Sequence, residues 1–504
     1  MPTFPKRLLI ANRGEIAVRI ARTAREMGIE PIGVYASSDA GAFHLRSMTA
    51  SFDLGPGTPR ETYLDAAKLV AAARSADADA IHPGYGFLSE NAGFARAVTE
   101  AGLLWVGPSP ESIESMGDKL QARRRMREAG VPVVPGSDSG DSPAASDAEL
   151  SDRAEEIGYP VLVKASAGGG GKGMARVDRR EDLSSALAET RRVAGAAFAD
   201  SRIYLEKLFD RPRHVEFQVF GDRMGSIVHL FERECSVQRR HQKVLEETPS
   251  PALDARLREG MGRAAVEAAR AVAYVGAGTV EFLLDERRNF YFLEMNTRLQ
   301  VEHPITEETL GLDLVRTQIE IAAGAPLPAA WRGGKLVQQG HAIELRLYAE
   351  DPYEFLPRTG TIELWEPPQG PGIRLDAGVG LGTTVGVEYD PLLAKLVVSA
   401  PDREAAIARA KRALEEWVVA GVETNGPLLF DVLDSPDFRS GRYATDLIGS
   451  LERSTASPPD KVWREAALVL ASEGEAVRAG AHPAVRPTTS DPWEGRHGNW
   501  RIGS

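Results

Sequence analysis

The string Glu281 … Glu294-Met295-Asn296-Thr297-Arg298-Leu299-Gln300-Val301-Glu302-His303 gathers residue types that metal-assisted chemistry on an anion needs. Two strand-like stretches, Thr279–Leu284 and Phe290–Glu294, flank Arg287-Arg288. A turn at those two residues predicts a hairpin in which Glu281 lies directly across from Glu294. Like charges opposite each other on a sheet repel, so a cation is expected between them. Asn296 adds a neutral oxygen on the same face, and two carboxylates with an amide oxygen suit a hard cation such as Mg²⁺. If the strand stays extended, Arg298, Gln300 and Glu302 continue that face. An anion binder and a general base would then flank the metal. The bland alternative is a solvated sheet face, where charged residues alternate anyway.

Lys164 ends a strand and leads into Ala165-Ser166-Ala167-Gly168-Gly169-Gly170-Gly171-Lys172-Gly173. Such glycines leave backbone N–H groups free to wrap a polyphosphate, and the two lysines add charge. Lys172 is followed by Gly173 and not by Ser or Thr, so this is no P-loop. Met174–Val177 looks like a strand, where a dinucleotide fingerprint would need a helix. A strand–loop–strand flap over phosphates fits best, and a flexible linker is the alternative.

A third run, Glu232-Arg233-Glu234-Cys235-Ser236-Val237-Gln238-Arg239-Arg240-His241-Gln242-Lys243, is cationic and follows a strand. Runs of this kind usually mark a solvated surface, but a small anion is a plausible target here. His214, His229 and His241 form no tight pair of the spacing zinc requires. Cys235, the only thiol, is expected to be a packed residue.

These side chains need elements to hold them. Leu8–Ala11, Glu15–Met27 and Ile32–Tyr35 read as strand, helix, strand, with Gly28 as the helix stop. Further strands are expected at Ala80–Ile81, before the turn-rich His82-Pro83-Gly84-Tyr85-Gly86-Phe87, and at Leu103–Val106. This alternation predicts a doubly wound parallel sheet up to about Met116. The Pro- and Gly-rich stretch Val131–Ala145 reads as a linker into a small unit of strand Val161–Lys164, glycine loop and helix Asp182–Val193. Strands follow at His214–Phe220 and Ser226–Glu232, and residues 341–400 read as short strands between Pro/Gly turns. Helix Glu404–Trp417 comes next, then one helix at Asp460–Ala471 and a Pro-, Gly- and Arg-rich tail.

At 504 residues the chain has room for about two to four domains. Its 43% hydrophobic and 26% charged residues are those of an ordinary folded protein. A formal charge of −12 argues against a nucleic-acid partner. One cysteine leaves no intrachain disulfide and fits a reducing compartment. No apolar run approaches the ~18 residues of a membrane helix, and Leu8-Leu9-Ile10-Ala11 is too short for a signal-peptide core. The expectation is a cytoplasmic, multidomain protein.

At these residues the chain resembles biotin carboxylase, the ATP-grasp enzyme of biotin-dependent carboxylases. The resemblance rests on Leu9–Ile20, His82–Asn91, Met116–Lys119, Lys164–Met174, Glu206-Lys207, Arg213–Gln218, Cys235–Glu247 and Glu294–Thr306. It continues through His341–Pro352, Tyr389–Leu396 and Gly421–Asn425, all in family order. It implies an α/β fold with an N-terminal doubly wound parallel sheet, ATP-grasp central domains with a mobile glycine-loop lid, and a mixed α+β C-terminal domain. The implied bounds are 1–118, 119–335 (lid about 136–205) and 336–450, with a tail, 451–504, that lacks a biotin carrier domain.

The resemblance also implies roles. Lys119, Lys164, the Gly168–Gly173 flap (Gly170 and Gly171 within it), His214, Gln238 and His241 would hold ATP, with Glu206 and Lys207 meeting adenine near Leu208. Glu281, Glu294 and Asn296 match the ligands of Mg²⁺ or Mn²⁺, two ions in all, and the two carboxylates thereby contact ATP too. Lys243, Arg298, Gln300 and Val301 match the bicarbonate site, with Glu302 as the base, and Arg346 matches the arginine that stabilises the biotin enolate. None of the nine methionines precedes a lysine, the setting of a biotinylated residue, so biotin is expected on a separate carrier protein beside a separate carboxyltransferase. A homodimer is implied as well, the whole serving an acyl-CoA carboxylase whose acceptor is not specified here. The tail Asp491-Pro492-Trp493 … Asn499-Trp500-Arg501 resembles the segment before the linker of multidomain acyl-CoA carboxylase α-subunits. Competing readings are an ATP-grasp ligase joining a carboxylate to an amine, a silent scaffold subunit, and a component of a urea or pyruvate carboxylase. Arg298, Gln300, Val301, Glu302 and Arg346 argue against the first, and intact Lys243, Glu302 and Arg346 against the second.

Overall fold

Buried apolar residues recur every three to four positions along the first helix, and that stripe begins the N-terminal sheet layer. The computed structural model describes residues 2–137, 146–166, 173–198, 200–240, 242–333 and 336–451. Strand β1 (Arg7–Ile10) feeds helix α1 (Gly14–Glu26), whose Ile16, Ile20 and Ala24 are fully buried. Gly28, at φ +73, ends the helix in the left-handed region that favours glycine. Strands β2 (Glu30–Tyr35) and β3 (Ala50–Asp53), helix α2 (Ala66–Ser75), β4 (Ala80–His82), α3 (Ala92–Glu100) and β5 (Leu104–Trp105) complete the layer. The sheet order is β3-β2-β1-β4-β5, with every pair parallel. That is the doubly wound arrangement the alternating pattern predicts, with the loop after β4 at the carboxyl edge of the strands.

Helices α4 (Pro110–Gly117) and α5 (Lys119–Glu128) lead to α6 (Asp147–Ile157) and a three-stranded sheet, β7-β6-β8. Its strands are β6 (Val161–Ala165), β7 (Met174–Val177) and β8 (Ile203–Lys207), with α7 (Arg180–Phe198) between the last two. β6 and β7 are antiparallel, Lys164 opposite Met174, as expected for the two strands on either side of the glycines. Residues 167–172, the heart of the glycine flap with Gly170 and Gly171, lie outside the described residues, as do 138–145 of the expected linker.

The rest is organised by one eight-stranded sheet of order β13-β12-β9-β10-β11-β14-β19-β17. It takes β9 (Arg213–Gly221), β10 (Ile227–Arg239), β11 (Gln242–Thr248), β12 (Gly276–Leu284), β13 (Phe290–Asn296) and β14 (His341–Tyr348). Between β11 and β14 come α8 (Ala255–Arg270), α9 (His303–Leu310) and α10 (Leu314–Ala322). The short strands β15 (Gly360–Thr361), β16 (Leu364–Glu366) and β18 (Thr384–Val385) pair outside this sheet, while β17 (Ile373–Ala377) and β19 (Leu392–Ala400) join it. Helix α11 (Arg403–Glu416) packs over β19 and β14. One cluster of buried apolar side chains from β11, β14, β19 and α11 forms the core there.

One expectation is corrected here. Residues 341–400 are not only short strands: His341–Tyr348 and Leu392–Ala400 are long, and they extend the sheet of the preceding segment. Their flanking Pro/Gly turns mark the small strands between them. The expected helix at Asp460–Ala471 lies outside the described residues.

Candidate active site

β12 and β13 pair antiparallel with Glu281 opposite Glu294, as expected, but the turn is not the two-residue one at Arg287-Arg288. Leu284 faces Phe290, and a register shift between Glu281 and Phe282 restores the carboxylate pair. On the other side of β12, Glu281 faces Glu216 of β9, and Glu216 faces Arg233 of β10. Four adjacent strands therefore carry a row of three carboxylates closed by a guanidinium. Cations from other elements offset the repulsion within the row.

Lys243 of β11 is the centre of this compensation. Its Nζ donates to Glu216 Oε2 at 2.5 Å, Glu302 Oε1 at 2.7 Å and Glu281 Oε1 at 3.0 Å. His214 Nε2 lies 2.8 Å from Glu281 Oε2. Burial would lower the Lys243 and His214 pKa values, but their carboxylate neighbours win and both are raised. Arg233, fully buried, donates to Glu216 at 2.6 Å, Gln218 at 2.8 Å, Thr306 at 3.0 Å and Thr279 at 3.2 Å. The cationic run is therefore not a solvated patch. Arg233 and Lys243 point separately into carboxylates, and Arg239 pairs with Glu350 over the Phe355 ring. Cys235 is buried and its thiol is pushed up by burial, in keeping with a packed residue.

Beyond Asn296 the strand ends. Residues 297–302 form a turn leading into α9 rather than extended backbone, which corrects that part of the sequence reading. Arg298, Gln300 and Glu302 nevertheless converge. Arg298 donates to Asn296 Oδ1 and Gln300 Oε1, both at 3.0 Å, and is backed by Glu90 at 2.9 Å. Gln300 Nε2 donates to Glu281 Oε1 at 3.0 Å. Glu302 occupies the N-cap of α9, where a carboxylate ordinarily accepts from the first amides, yet it makes no such bond. Its oxygens are given to Lys243 on one side and to Arg346 Nη2, at 3.0 Å, on the other. Burial pushes the Glu302 carboxyl up, but Lys243, Arg346 and Arg233 outweigh it and hold it well below the usual carboxylate range.

Arg346 also donates to Glu246, which burial and the neighbouring Glu302 raise to about 7. Residues that the sequence does not mark individually thus hold the site: Glu216, Glu90 and Glu246, beside Arg233 of the cationic run. Glu216 was findable, being two residues from His214 on the same strand face. Glu90 and Glu246 reach their partners only through the tertiary fold.

The residues expected to meet the nucleotide fall into two groups. Lys164 Nζ donates to Glu206 Oε2 at 2.8 Å, and Arg123 takes the other Glu206 oxygen at 2.7 Å. Lys207 Nζ holds the Gly158 and Tyr159 carbonyls at 2.9 and 3.1 Å. The amide N–H groups of Lys207 and Leu208 are engaged by Pro135 O and Pro160 O. Glu206 and Lys207 therefore fasten the small sheet with their side chains and backbone donors. Lys119 begins α5, and burial together with the like charge of Lys164 lowers its pKa. Both lysines act on Glu294, which joins them to the hairpin. Gln238 pairs with Lys243 across β10 and β11, and His241 lies outside the described residues.

The carboxylate pair fits a divalent cation. Glu294 has no hydrogen-bond donor among the described residues, and burial with Glu281 opposite raises its pKa. A positive ion on that side would relieve both effects. Asn296 Nδ2 now donates to Glu281 at 2.8 Å, so its amide would turn to offer oxygen to an ion. The ligand atoms of His214, Glu216 and Glu281 lie within 4.8 Å of one another, but Lys243 Nζ and the His214 ring already occupy that side as partners of these carboxylates.

Two lysines beside facing carboxylates, and a buried carboxylate between two cations, form an arrangement that suits an ATP-grasp ligase. The comparisons agree. Residues 118–330 match the family model "Carbamoyl-phosphate synthase L chain, ATP binding domain". Residues 4–113 match "Biotin carboxylase, N-terminal domain", and 344–450 match "Biotin carboxylase C-terminal domain". A biotin carboxylase of Halalkalibacterium halodurans is 49% identical over 443 residues, 88% of this chain and 97% of that one. The methylcrotonoyl-CoA carboxylase subunit alpha of Dictyostelium discoideum is 44% identical over 498 residues, 98% of this chain and 70% of that one. A biotin carboxylase structure from Campylobacter jejuni superposes with a TM-score of 0.85 at 43% identity, covering 88% of this chain and 98% of that one. The biotin carboxylase domain dimer of Hydrogenobacter thermophilus 2-oxoglutarate carboxylase, in complex with MgADP, ADP and bicarbonate, gives 0.85 at 44%, covering 89% and 98%. The chain belongs to the biotin carboxylase family.

Proposed function

We propose that this chain carboxylates biotin borne by a separate carrier protein, using ATP and bicarbonate, as the first half-reaction of an acyl-CoA carboxylase. The observation that carries this reading is Glu302, held between Lys243 on the side of the carboxylate row and Arg346 on the other. Bicarbonate fits between Lys243 and Arg298, with the Gln300 side chain and the Val301 backbone beside it. Glu302 is ionised throughout the neutral range and so is ready to take the bicarbonate proton. As Lys243 and Arg298 turn part of their charge to the bound anion, Glu302 loses stabilisation and becomes a stronger base.

The freed oxygen attacks the γ-phosphorus of ATP and ADP leaves. Lys119, Lys164, the Gly168–Gly173 segment, His214, Gln238 and His241 are proposed to hold the phosphates and ribose, with adenine near Glu206, Lys207 and Leu208. Mg²⁺ or Mn²⁺ on Glu281, Glu294 and Asn296 supplies charge neutralisation of the phosphates when bound. Carboxyphosphate breaks into CO₂ and phosphate. The phosphate takes the ureido proton of biotin, Arg346 stabilises the enolate oxygen, and the nitrogen attacks CO₂.

A carrier and a carboxyltransferase as separate partners, and assembly as a homodimer, belong to the same proposal. Relatives named as carboxylase α-subunits and a relative solved as a dimer support it. An acidic chain with one buried cysteine suits the cytoplasm. Among the described residues no helix is long and apolar enough to cross a membrane.

The test is ATP hydrolysis by the purified chain with Mg²⁺, with and without bicarbonate and free biotin, beside Glu302→Gln. Bicarbonate-dependent hydrolysis that rises with biotin and falls about 100-fold or more in the variant is the expected result. Hydrolysis indifferent to biotin would favour an amine ligase instead.

A further inference from the structure

The turn that carries Gln300, Val301 and Glu302 has no sheet ladder of its own, so something outside it must set its backbone. Two contacts do so from behind the site. His303 Nδ1 lies 2.8 Å from Gln300 O, and Lys395 Nζ donates to Val301 O at 2.9 Å. Lys395 is fully buried in β19, between Arg346 on β14 and Asp376 on β17 in the strand register. Neighbouring strands thus send two cations to consecutive residues of the turn: Arg346 to the Glu302 carboxylate and Lys395 to the Val301 carbonyl.

Lys395 is anchored in turn. Glu15, in the first turn of α1, lies 3.2 Å from Lys395 Nζ and accepts the Tyr85 hydroxyl as well. Glu15 is itself fixed against the C-terminal strands, because a Cβ on Gly378 would stand 2.5 Å from Glu15 N, and Gly378 N donates to Leu393 O. An apolar side chain with the same stem would fill the Lys395 site without burying a charge, and burial of a charge is unfavourable unless the charge is used.

We infer that Lys395 is a positioning residue for the reaction: it fixes the Val301 carbonyl and thereby the turn that presents Gln300, Val301 and Glu302 to bicarbonate. This role rests on the reaction proposed above, with bicarbonate held at that turn.

The test uses the full chain with Lys395→Met, which keeps the stem, and Lys395→Arg, which keeps the charge. Steady-state kinetics are measured in bicarbonate at saturating ATP, and in ATP at saturating bicarbonate. Lys395→Met should raise the bicarbonate KM and lower kcat by about tenfold or more, while the ATP KM stays within about twofold. Lys395→Arg should recover part of the loss. If Lys395→Met does not fold, Glu15→Gln loosens the anchor without touching the turn, and a selective rise in bicarbonate KM is again expected. An unchanged bicarbonate KM in a folded variant overturns the role. So does an equal loss toward both substrates with no recovery by arginine. If the wild-type chain shows no bicarbonate-dependent turnover, the proposed reaction falls first and this role falls with it.

Discussion

Glu281 and Glu294 face each other across the β12–β13 hairpin, and the lysines near Glu294 do not fully offset its burial and the charge of Glu281. Glu281 takes hydrogen bonds from Lys243, His214, Asn296 and Gln300, whereas Glu294 takes none among the described residues. Without metal, Glu294 is therefore a source of repulsion. Glu294→Gln should stabilise the metal-free chain by a few tenths to about 1 kcal/mol, the range of cross-strand charge pairs. The same variant should lose Mg²⁺-dependent ATP turnover. Thermal melts in EDTA, paired with hydrolysis assays across a Mg²⁺ titration, check both halves. A variant less stable without metal would contradict the electrostatic account of this pair.

At the scale of elements, the site is a junction of strands that a single side chain helps to hold. Arg233 on β10 reaches Glu216 and Gln218 on β9, Thr279 on β12 and Thr306 on α9. Arg233→Met removes the partner of a buried carboxylate and should cost about 3 kcal/mol in urea unfolding, with loss of activity following the loss of fold. A cost below about 1 kcal/mol would mean that Lys243 alone compensates Glu216. The sequence made the hairpin legible because its two strands and turn are local, although the register shift beside Glu281 that sets Glu281 opposite Glu294 is not encoded in the spacing. It also made the parallel N-terminal sheet legible, since strand, helix and glycine alternate in order. What it did not show is how far apart in sequence the supporting residues lie. Lys395 reaches Val301 across 94 residues, and Arg298 reaches Glu90 across 208. No periodicity encodes such pairings. The strand does not stay extended past Asn296 for a related reason: alternating polar residues suit a strand, but Pro304 and the α9 start pull the backbone out of extension.

Across the whole molecule, β14 and β19 extend the sheet that carries the carboxylate row, so Arg346 and Lys395 belong to the same framework as Lys243 and Glu281. The stability of the N-terminal sheet layer carries a pH signature. His44 donates through Nε2 to Val34 O, and burial lowers its pKa from 6.5 to about 4. Its folded pKa lies below its unfolded one, so the unfolded chain takes up a proton that the folded chain refuses. The stability this residue contributes is present above pH 6.5 and is lost as pH falls toward 4. The loss runs at about 1.4 kcal/mol per pH unit. His44→Gln keeps a donor for Val34 O without a titrating group. Urea midpoints of wild type and variant should therefore converge or cross as pH is lowered from 7 to 4. Parallel curves over that range would show that His44 is not held neutral.

The measurement that tests the central claim most directly follows the oxygen of bicarbonate. The purified chain is supplied with ATP, Mg²⁺, free biotin and ¹⁸O-bicarbonate, and the released phosphate is analysed by mass. If bicarbonate, deprotonated by Glu302, attacks the γ-phosphorus, each phosphate carries one labelled oxygen and carboxybiotin forms alongside it. Phosphate released without label would mean that water attacks ATP, and the carboxylation chemistry assigned to this site would be contradicted.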